Sequence, residues 1–565
     1  MVSRGIVHLL SQLDSQYLPW GLTLAGLILA VCFPRAGDRA FRAIEYLGRR
    51  LAGHRLWACL SIGLAAIVLR LSLLPLLPIP APRIHDEFSY LLGADTLAHG
   101  RLANPPHPLW IFFDTIHVNQ HPTYASKYPP AQAVALALGQ LLGNPWFGVL
   151  LSVGAMCAAM VWMLQGWMPP PWALLGGSLL LFRIGIFSYW MNSYWGGAVP
   201  AIGGALVAGA MPRLMRDWRA RDALVLGLGA IVLANSRPLE GGLCCLPVAV
   251  VLAVRLCSAK HPSWRVALTH LILPLCMVGL AGAAFMAYFN WRSTGDPKLF
   301  PYILNERTYL AGTPSLVWNA SRVHLHFANP QFEQYYNGVL RDFWSAGRFT
   351  GLSGLATKLS DNFQRLAQVF FSPELLTPLL ALPWILRSWK GRFLAAQIAI
   401  VFGALLAVVW FEAHYLGPIT ASIFALLTFG IRYIRQVRFR GRPLGLGLSR
   451  AIVLLTVLLS PFNTRPGTWK FSAPYGISYR AIFAHQLERL PGRHLVIVRY
   501  SSQHNVFQEW VYNDADIDRA KIVWAREIPG VDLKPLLSGF SGRQIWLAEP
   551  DAPQPRISVY RDAEH

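Results

Sequence analysis

Residues 146 to 168 read WFGVLLSVGAMCAAMVWMLQGWM, 23 consecutive positions without an Asp, Glu, Lys, Arg or His. At about 1.5 Å per residue such a helix is roughly 34 Å long, enough to cross a hydrocarbon core of about 30 Å. The stretch reads as a transmembrane helix, and it is one of a series. Outward from it, apolar runs suited to spans lie at 17–33, 56–78, 172–190, 196–211, 222–234, 242–256, 266–289, 366–386, 393–411, 417–431 and 444–460. The sequence thus predicts about twelve helices. Of the 565 residues 54% are apolar and only 14% charged, where a soluble domain carries about 25% charged. Tyr17 to Phe33 lacks a strongly basic leader and a small-residue cleavage site, so it reads as a retained span. The expected fold is an all-α polytopic membrane domain over 1–460, followed by a small α/β domain over 461–565.

Fifty Lys/Arg against 28 Asp/Glu give a net charge of +22. The loops 34–55, 212–222, 255–265, 387–392 and 432–443 hold 21 of those cations against four acids, Asp38, Glu45, Asp217 and Asp222. By the positive-inside rule these loops face the cytoplasm. They account for 17 of the 22 charges, and the remaining 29 cations and 24 acids nearly balance. The basicity therefore records orientation in a bilayer, and no nucleic-acid partner is expected. Parity puts the N-terminus, the loops 79–145 and 290–365, the short turns 191–195, 235–241 and 412–416, and the tail from Pro461 on the opposite, extracytoplasmic side of a cytoplasmic (inner) membrane. The tail shows helical spacing over Tyr479 to Leu490 and strand-like runs at 495–500, 521–526 and 544–548. All seven cysteines sit in or beside apolar runs, so no disulfide framework is expected. No internal repeat is visible.

Chemistry-bearing residues gather in the first outer loop: Arg83-Ile-His-Asp-Glu-Phe-Ser-Tyr90, then a stretch ending Ala125-Ser-Lys-Tyr-Pro-Pro130. An Asp-Glu pair alone is a common solvated helix start. Here His85, Asp86, Glu87, Tyr90, Lys127 and Tyr128 share one membrane face. A carboxylate there is suited to take a proton from an acceptor hydroxyl. A nearby Lys or Arg is suited to hold a phosphate that gains charge as it leaves. Together these needs describe glycosyl transfer from a lipid-phosphate sugar.

Asp86-Glu87-Phe88-Ser89-Tyr90 resembles the D-E-x-x-Y signature in the first periplasmic loop of GT-C glycosyltransferases, the group of protein O-mannosyltransferases, lipid A aminoarabinose transferases and their rhizobial lipopolysaccharide relatives. Lys127-Tyr128-Pro129-Pro130 is similar to the K-P-P motif closing that loop, with Tyr128 as an extra residue. A second departure is the additional apolar segment ahead of the loop. The resemblance implies Asp86 as catalytic base or acceptor-orienting carboxylate with Glu87 beside it, Lys127 on the donor phosphate, and inversion at the anomeric carbon. The implied partners are the bilayer, a polyprenyl-phosphate-linked sugar, and an extracytoplasmic glycan, lipid or protein acceptor.

Arg237, in Asn235-Ser-Arg-Pro-Leu-Glu240, reads either as an interfacial anchor or as a second phosphate ligand, with Glu240 as its ion-pair partner. Arg70, near the end of its span, is expected to snorkel. His85, Tyr90, Tyr128, His414 and Tyr415 are candidates to line the substrate site. His324-Leu-His326 offers no third ligand at useful spacing. Asp514-x-Asp516-x-Asp518 has Arg519 where a calcium loop needs glycine, which leaves helix capping as its use. No cofactor and no obligatory metal are expected, because Lys and Arg can neutralise the phosphate. The long 290–365 loop, with Tyr302, Asn305, Glu306, Arg307, Tyr309, Tyr335, Tyr336 and Trp344, is expected to form amphipathic helices covering the site. One rival reading is a transporter or flippase of lipid-linked saccharide that uses the same residues without chemistry. Another is a structural or polymer-assembly subunit whose tail binds a partner.

Overall fold

The structure, a computed structural model, describes residues 17–258, 262–311, 316–318, 325–347, 351–463 and 478–560. Among the described residues seven helices are long and apolar enough to cross a membrane: Arg55–Ser72, Pro145–Trp167, Ala198–Asp217, Pro238–Cys257, Trp264–Thr294, Ala413–Ile434 and Leu444–Asn463. An eighth is reached if Gly351–Phe370 and Pro373–Ile385, bent by 113° at their junction, count as one. The chain is a mostly helical integral membrane protein, with fewer full-length spans than the twelve apolar runs suggest.

Length explains most of the difference. Leu18–Cys32 and Ala220–Ala234 have 15 residues each and Trp389–Leu405 has 17, below the roughly 20 that cross upright. Two other runs are broken. The helix Pro170–Leu180 passes into a π turn, Leu181–Gly185, and then into irregular backbone, so 172–190 is not one straight helix. The run 366–386 contains the 113° bend. One side chain joins both breaks: buried Arg183, in the π turn, donates to Gln368 O at 2.6 Å and Phe371 O at 2.9 Å. Those carbonyls lie at the end of Gly351–Phe370, where no further helical turn follows to bond them. At membrane depth a freed carbonyl needs an internal donor, and a buried arginine needs acceptors.

Arg70 does not snorkel. It is fully buried, donates to Asn192 Oδ1 at 2.9 Å, Leu77 O at 2.8 Å and Pro78 O at 3.0 Å, and lies 4.7 Å from the Trp146 ring centroid. The chain leaving its span turns back at 73–78, and this turn presents carbonyls to the guanidinium.

Two backbone approaches seat the outer face on the bundle. A Cβ at Gly148 would stand 1.9 Å from Ala135 O, so glycine lets the Pro130–Leu141 helix lie directly on Pro145–Trp167. A Cβ at Gly204 would stand 1.8 Å from Pro418 O, which brings the turn carrying His414 and Tyr415 against Ala198–Asp217.

In the outer loop β1 (Val118–Asn119) pairs antiparallel with β2 (Ala125–Ser126). The tail forms a four-stranded sheet of β3 (His494–Val498), β4 (Ile522–Arg526), β5 (Gln544–Glu549) and β6 (Arg556–Val559), ordered β4-β3-β5-β6, with β3 parallel to both neighbours and β6 antiparallel. All five β3 residues are buried. Both faces are covered, as a continuous apolar strand requires. Val496 and Val498 pack with Phe483 and Leu487 of the Tyr479–Arg489 helix. Leu495 packs with Phe88, Leu92 and Phe113 of the outer loop.

Candidate active site

The His85–Ala98 helix starts where Ile84 is still extended, and its first turn carries Asp86 and Glu87. Acidic residues there complement the positive end of the helix dipole. The two carboxylates are used differently. Buried Glu87 accepts from Arg83 N at 2.8 Å and Ile84 N at 3.3 Å through Oε2, and from Tyr194 N at 3.0 Å through Oε1. It joins the helix start to the 188–195 turns. The Asp86 side chain is 26% exposed, accepts a hydrogen bond from Tyr128 Oη, and has His117 Nδ1 at 3.7 Å.

The β1–β2 hairpin sets this geometry. His117 precedes β1 with φ +66°, so its carbonyl accepts from Ser89 Oγ at 2.7 Å and Lys127 N at 3.3 Å. His117 Nδ1 lies 3.1 Å from Tyr128 Oη, and Nε2 lies 3.3 Å from Tyr335 Oη. Tyr128 has one proton and gives it to Asp86. That assigns the imidazole hydrogen to Nδ1 and leaves Nε2 to accept from Tyr335. Burial, then Lys127 and His85, holds the His117 pKa well below the usual imidazole value, so at neutral pH this relay is uncharged.

The Tyr128 ring stacks on Tyr90 with centroids 4.3 Å apart, and two cations lie nearby. Lys127 Nζ is 5.3 Å from the Tyr128 centroid, and the Arg237 guanidinium is 4.1 Å from the Tyr415 centroid and 3.9 Å from Glu240 Oε1. Asn235 O accepts from Ala131 N at 2.9 Å, which ties the 235–238 turn to the end of the first outer loop. Burial pulls the Lys127 ammonium down to about 8 against the raising influence of Asp86 and Glu306. The structure thus brings Asp86, Tyr90, Lys127, Tyr128, Arg237 and Tyr415 together. His414 flanks the group through Tyr415, with ring centroids 4.9 Å apart; it is buried, with Nδ1 3.1 Å from Tyr189 Oη and its ring 4.7 Å from that of Trp195.

The tail supplies a wall that the sequence did not reveal. His85 Nδ1 lies 2.8 Å from Tyr512 Oη, and Phe88 stacks on Tyr512 at 4.3 Å. Burial lowers the His85 pKa to about 4, so it is neutral. Behind it Arg526 and Glu509 pair with side chains 0% and 1% exposed. Arg526 also donates to Gln331 Oε1 at 2.9 Å, while Glu509 accepts from Tyr500 Oη, Trp510 N and Val511 N. Tyr335, Tyr336 and Tyr309 continue the aromatic wall to Asp114, whose carboxyl accepts from Tyr309 at 2.8 Å and is pushed by burial to about 7. A cavity of about 270 Å³ opens there, lined by Trp110, Asp114, Gln120, His121, Tyr309 and Phe332 among others.

His117, Tyr335 and Tyr512 complete the surroundings of Asp86, and only Tyr335 is among the residues noted from sequence. Among the described residues no group of three His, Cys, Asp or Glu is placed to hold a metal ion. His324 lies outside the described residues. Asp516 Oδ1 accepts from Arg519 N at 3.2 Å, a local turn cap.

No protein-family profile and no curated protein matches the sequence. Among solved structures the chain is similar to the Archaeoglobus fulgidus oligosaccharyltransferase tethered with an acceptor peptide containing the NVT sequon, with a TM-score of 0.41 and 10% identity over 79% of this chain and 62% of that one. It is also similar to that enzyme's complex with zinc and sulfate, with a TM-score of 0.44 and 10% identity over 86% of this chain and 67% of that one. A third is the same organism's oligosaccharyltransferase AglB with an inhibitory peptide and a dolichol-phosphate, with a TM-score of 0.40 and 10% identity over 78% of this chain and 62% of that one. The chain thus spans about 62% of the length of the first and third.

Proposed function

We propose that this chain is a membrane glycosyltransferase that moves a sugar from a polyprenyl-phosphate donor to an extracytoplasmic acceptor, with inversion. The supporting observation is the meeting of opposite charges at Tyr128: partly exposed Asp86 on its hydroxyl, Lys127 at its ring face, and Arg237 over the nearby Tyr415 ring. In the proposed step the acceptor hydroxyl oxygen attacks the anomeric carbon and its proton passes to Asp86. The bond from that carbon to the phosphate oxygen breaks, and its electron pair leaves with the phosphate. Lys127 and Arg237 stabilise the charge that accumulates there. Tyr128 holds Asp86 in orientation by donating to its carboxylate, and neutral hydrogen bonds from His117 and Tyr335 stand behind it. Glu87, whose two oxygens accept three backbone amides, is assigned a positioning role.

The test is transfer by the purified protein from polyprenyl-phosphate sugars to crude envelope acceptors, comparing wild type with Asp86→Asn. Loss of a positioned base costs about 10²- to 10⁴-fold. Transfer by the variant at the wild-type rate would remove Asp86 from the chemistry.

A further inference from the structure

The span Pro145–Trp167 begins beneath the outer cluster, where Trp146 Nε1 donates to Met191 O at 2.9 Å. Its other end, about 33 Å away by helical rise, borders a second cavity, of about 450 Å³. Trp167, Ser388, Lys390, Phe429, Arg432 and Tyr433 contribute to its lining, and none of the lining residues is Asp or Glu. Lys390 Nζ donates to Trp167 O at 2.9 Å. Among the described residues neither Lys390 nor Arg432 makes an ion pair. This contrasts with the neighbouring 435–450 region, where Arg435 meets Glu45 at 2.8 Å and Arg450 meets Asp38 at 2.8 Å and Glu45 at 3.0 Å. Exposed aromatic residues stand nearby in sequence: Trp384 is 51%, Trp389 45% and Tyr433 37% exposed. Such a belt marks the level of lipid headgroups.

Two like charges converging on a hollow without a counter-charge repel each other unless an anion lies between them. Basic pockets between membrane helices on the cytoplasmic side take anionic headgroups. We infer that this cavity binds the phosphate of an anionic phospholipid headgroup, with Lys390 and Arg432 as its charge partners and the Trp167–Tyr433 walls against its glycerol. This site is separate from the outer cluster and does not rest on the function proposed for it.

The test uses the full chain, reconstituted in bilayers of phosphatidylglycerol and phosphatidylcholine, extracted gently and weighed by native mass spectrometry. Wild type is expected to retain phosphatidylglycerol. The double variant Lys390→Gln with Arg432→Gln should retain about thirtyfold less, from roughly fivefold per cation. Arg438→Gln with Arg440→Gln, on the same face but outside the cavity lining, should match wild type. Equal retention in wild type and the cavity variant, or equal loss in both double variants, overturns the site. The charge-preserving swap Lys390→Arg with Arg432→Lys should restore retention if the loss is electrostatic, and its failure to do so overturns the assignment as well. Inorganic phosphate titrated onto protein held in phosphatidylcholine alone separates the sources. Thermal protection that depends on Lys390 and Arg432, without phosphatidylglycerol retention, overturns the lipid assignment in favour of a soluble anion.

Discussion

The two sides of the outer cluster treat charge in opposite ways. On the tail side Arg526 and Glu509 are fully buried and paired, and Gln331, Tyr500 and the amides of residues 510 and 511 add hydrogen bonds to the pair. On the membrane side Lys127 has an aromatic ring at 5.3 Å, and Arg237 meets Glu240 at a loose 3.9 Å. A buried charge closely paired with its opposite is architecture, because removing either partner strands the other. A cation that meets ring faces and at most a loose ion pair keeps donors for something that arrives. The same contrast separates Asp86 from Glu87, one residue apart.

Asp86→Asn should break this contrast most sharply, with transfer down about 10²- to 10⁴-fold and an unchanged thermal midpoint, read by product formation and by calorimetry. A fall in both together would class Asp86 with the structural charges. Glu509→Gln is the converse. It leaves Arg526 buried without its counter-charge and should cost about 3–5 kcal/mol of stability, measured as a drop in thermal midpoint with the donor KM of the remaining folded enzyme unchanged. Lys127→Ala should raise the donor KM by about tenfold or more, in line with roughly 1.5–3 kcal/mol for a charged hydrogen bond; an unaltered KM detaches it from the donor.

A finer probe is pH. Since burial brings the Lys127 pKa to about 8, its ammonium is complete below that value and lost as pH rises through it. Apparent kcat/KM for donor should therefore fall above about pH 8 in wild type and stay flat in Lys127→Arg. Superimposable profiles refute the assignment. The smallest expected effect is Tyr335→Phe, which removes one neutral hydrogen bond to His117 and should slow transfer by a few-fold, about 1 kcal/mol.

Much of this arrangement was legible in the sequence. The apolar runs revealed the membrane fold, the acid-rich helix start and Lys127–Pro130 pointed to one place, and three tail strands lie within a residue or two of β3, β4 and β5. What escaped depends on distance along the chain. Tyr335 is 218 residues from His117, and Tyr512 is 427 residues from His85. No local periodicity encodes such encounters. His117 carries no motif, because its place follows from the hairpin and its own left-handed backbone. Edge strand β6 was missed as a short, largely exposed segment of mixed polarity. The count of twelve spans is not confirmed, and hydropathy is blind to breaks: a run such as 172–190 looks continuous even though Arg183 within it bonds to the end of another helix.

The contact between Tyr512 and His85 also bears on synthesis. The ring that stacks on Phe88 and bonds to His85 is made more than 420 residues after them. Every intervening membrane segment is translated before that wall can close over the acidic turn. Truncation before Tyr512 would remove that ring from the acidic turn, so this wall of the pocket depends on a segment made long after the turn it covers.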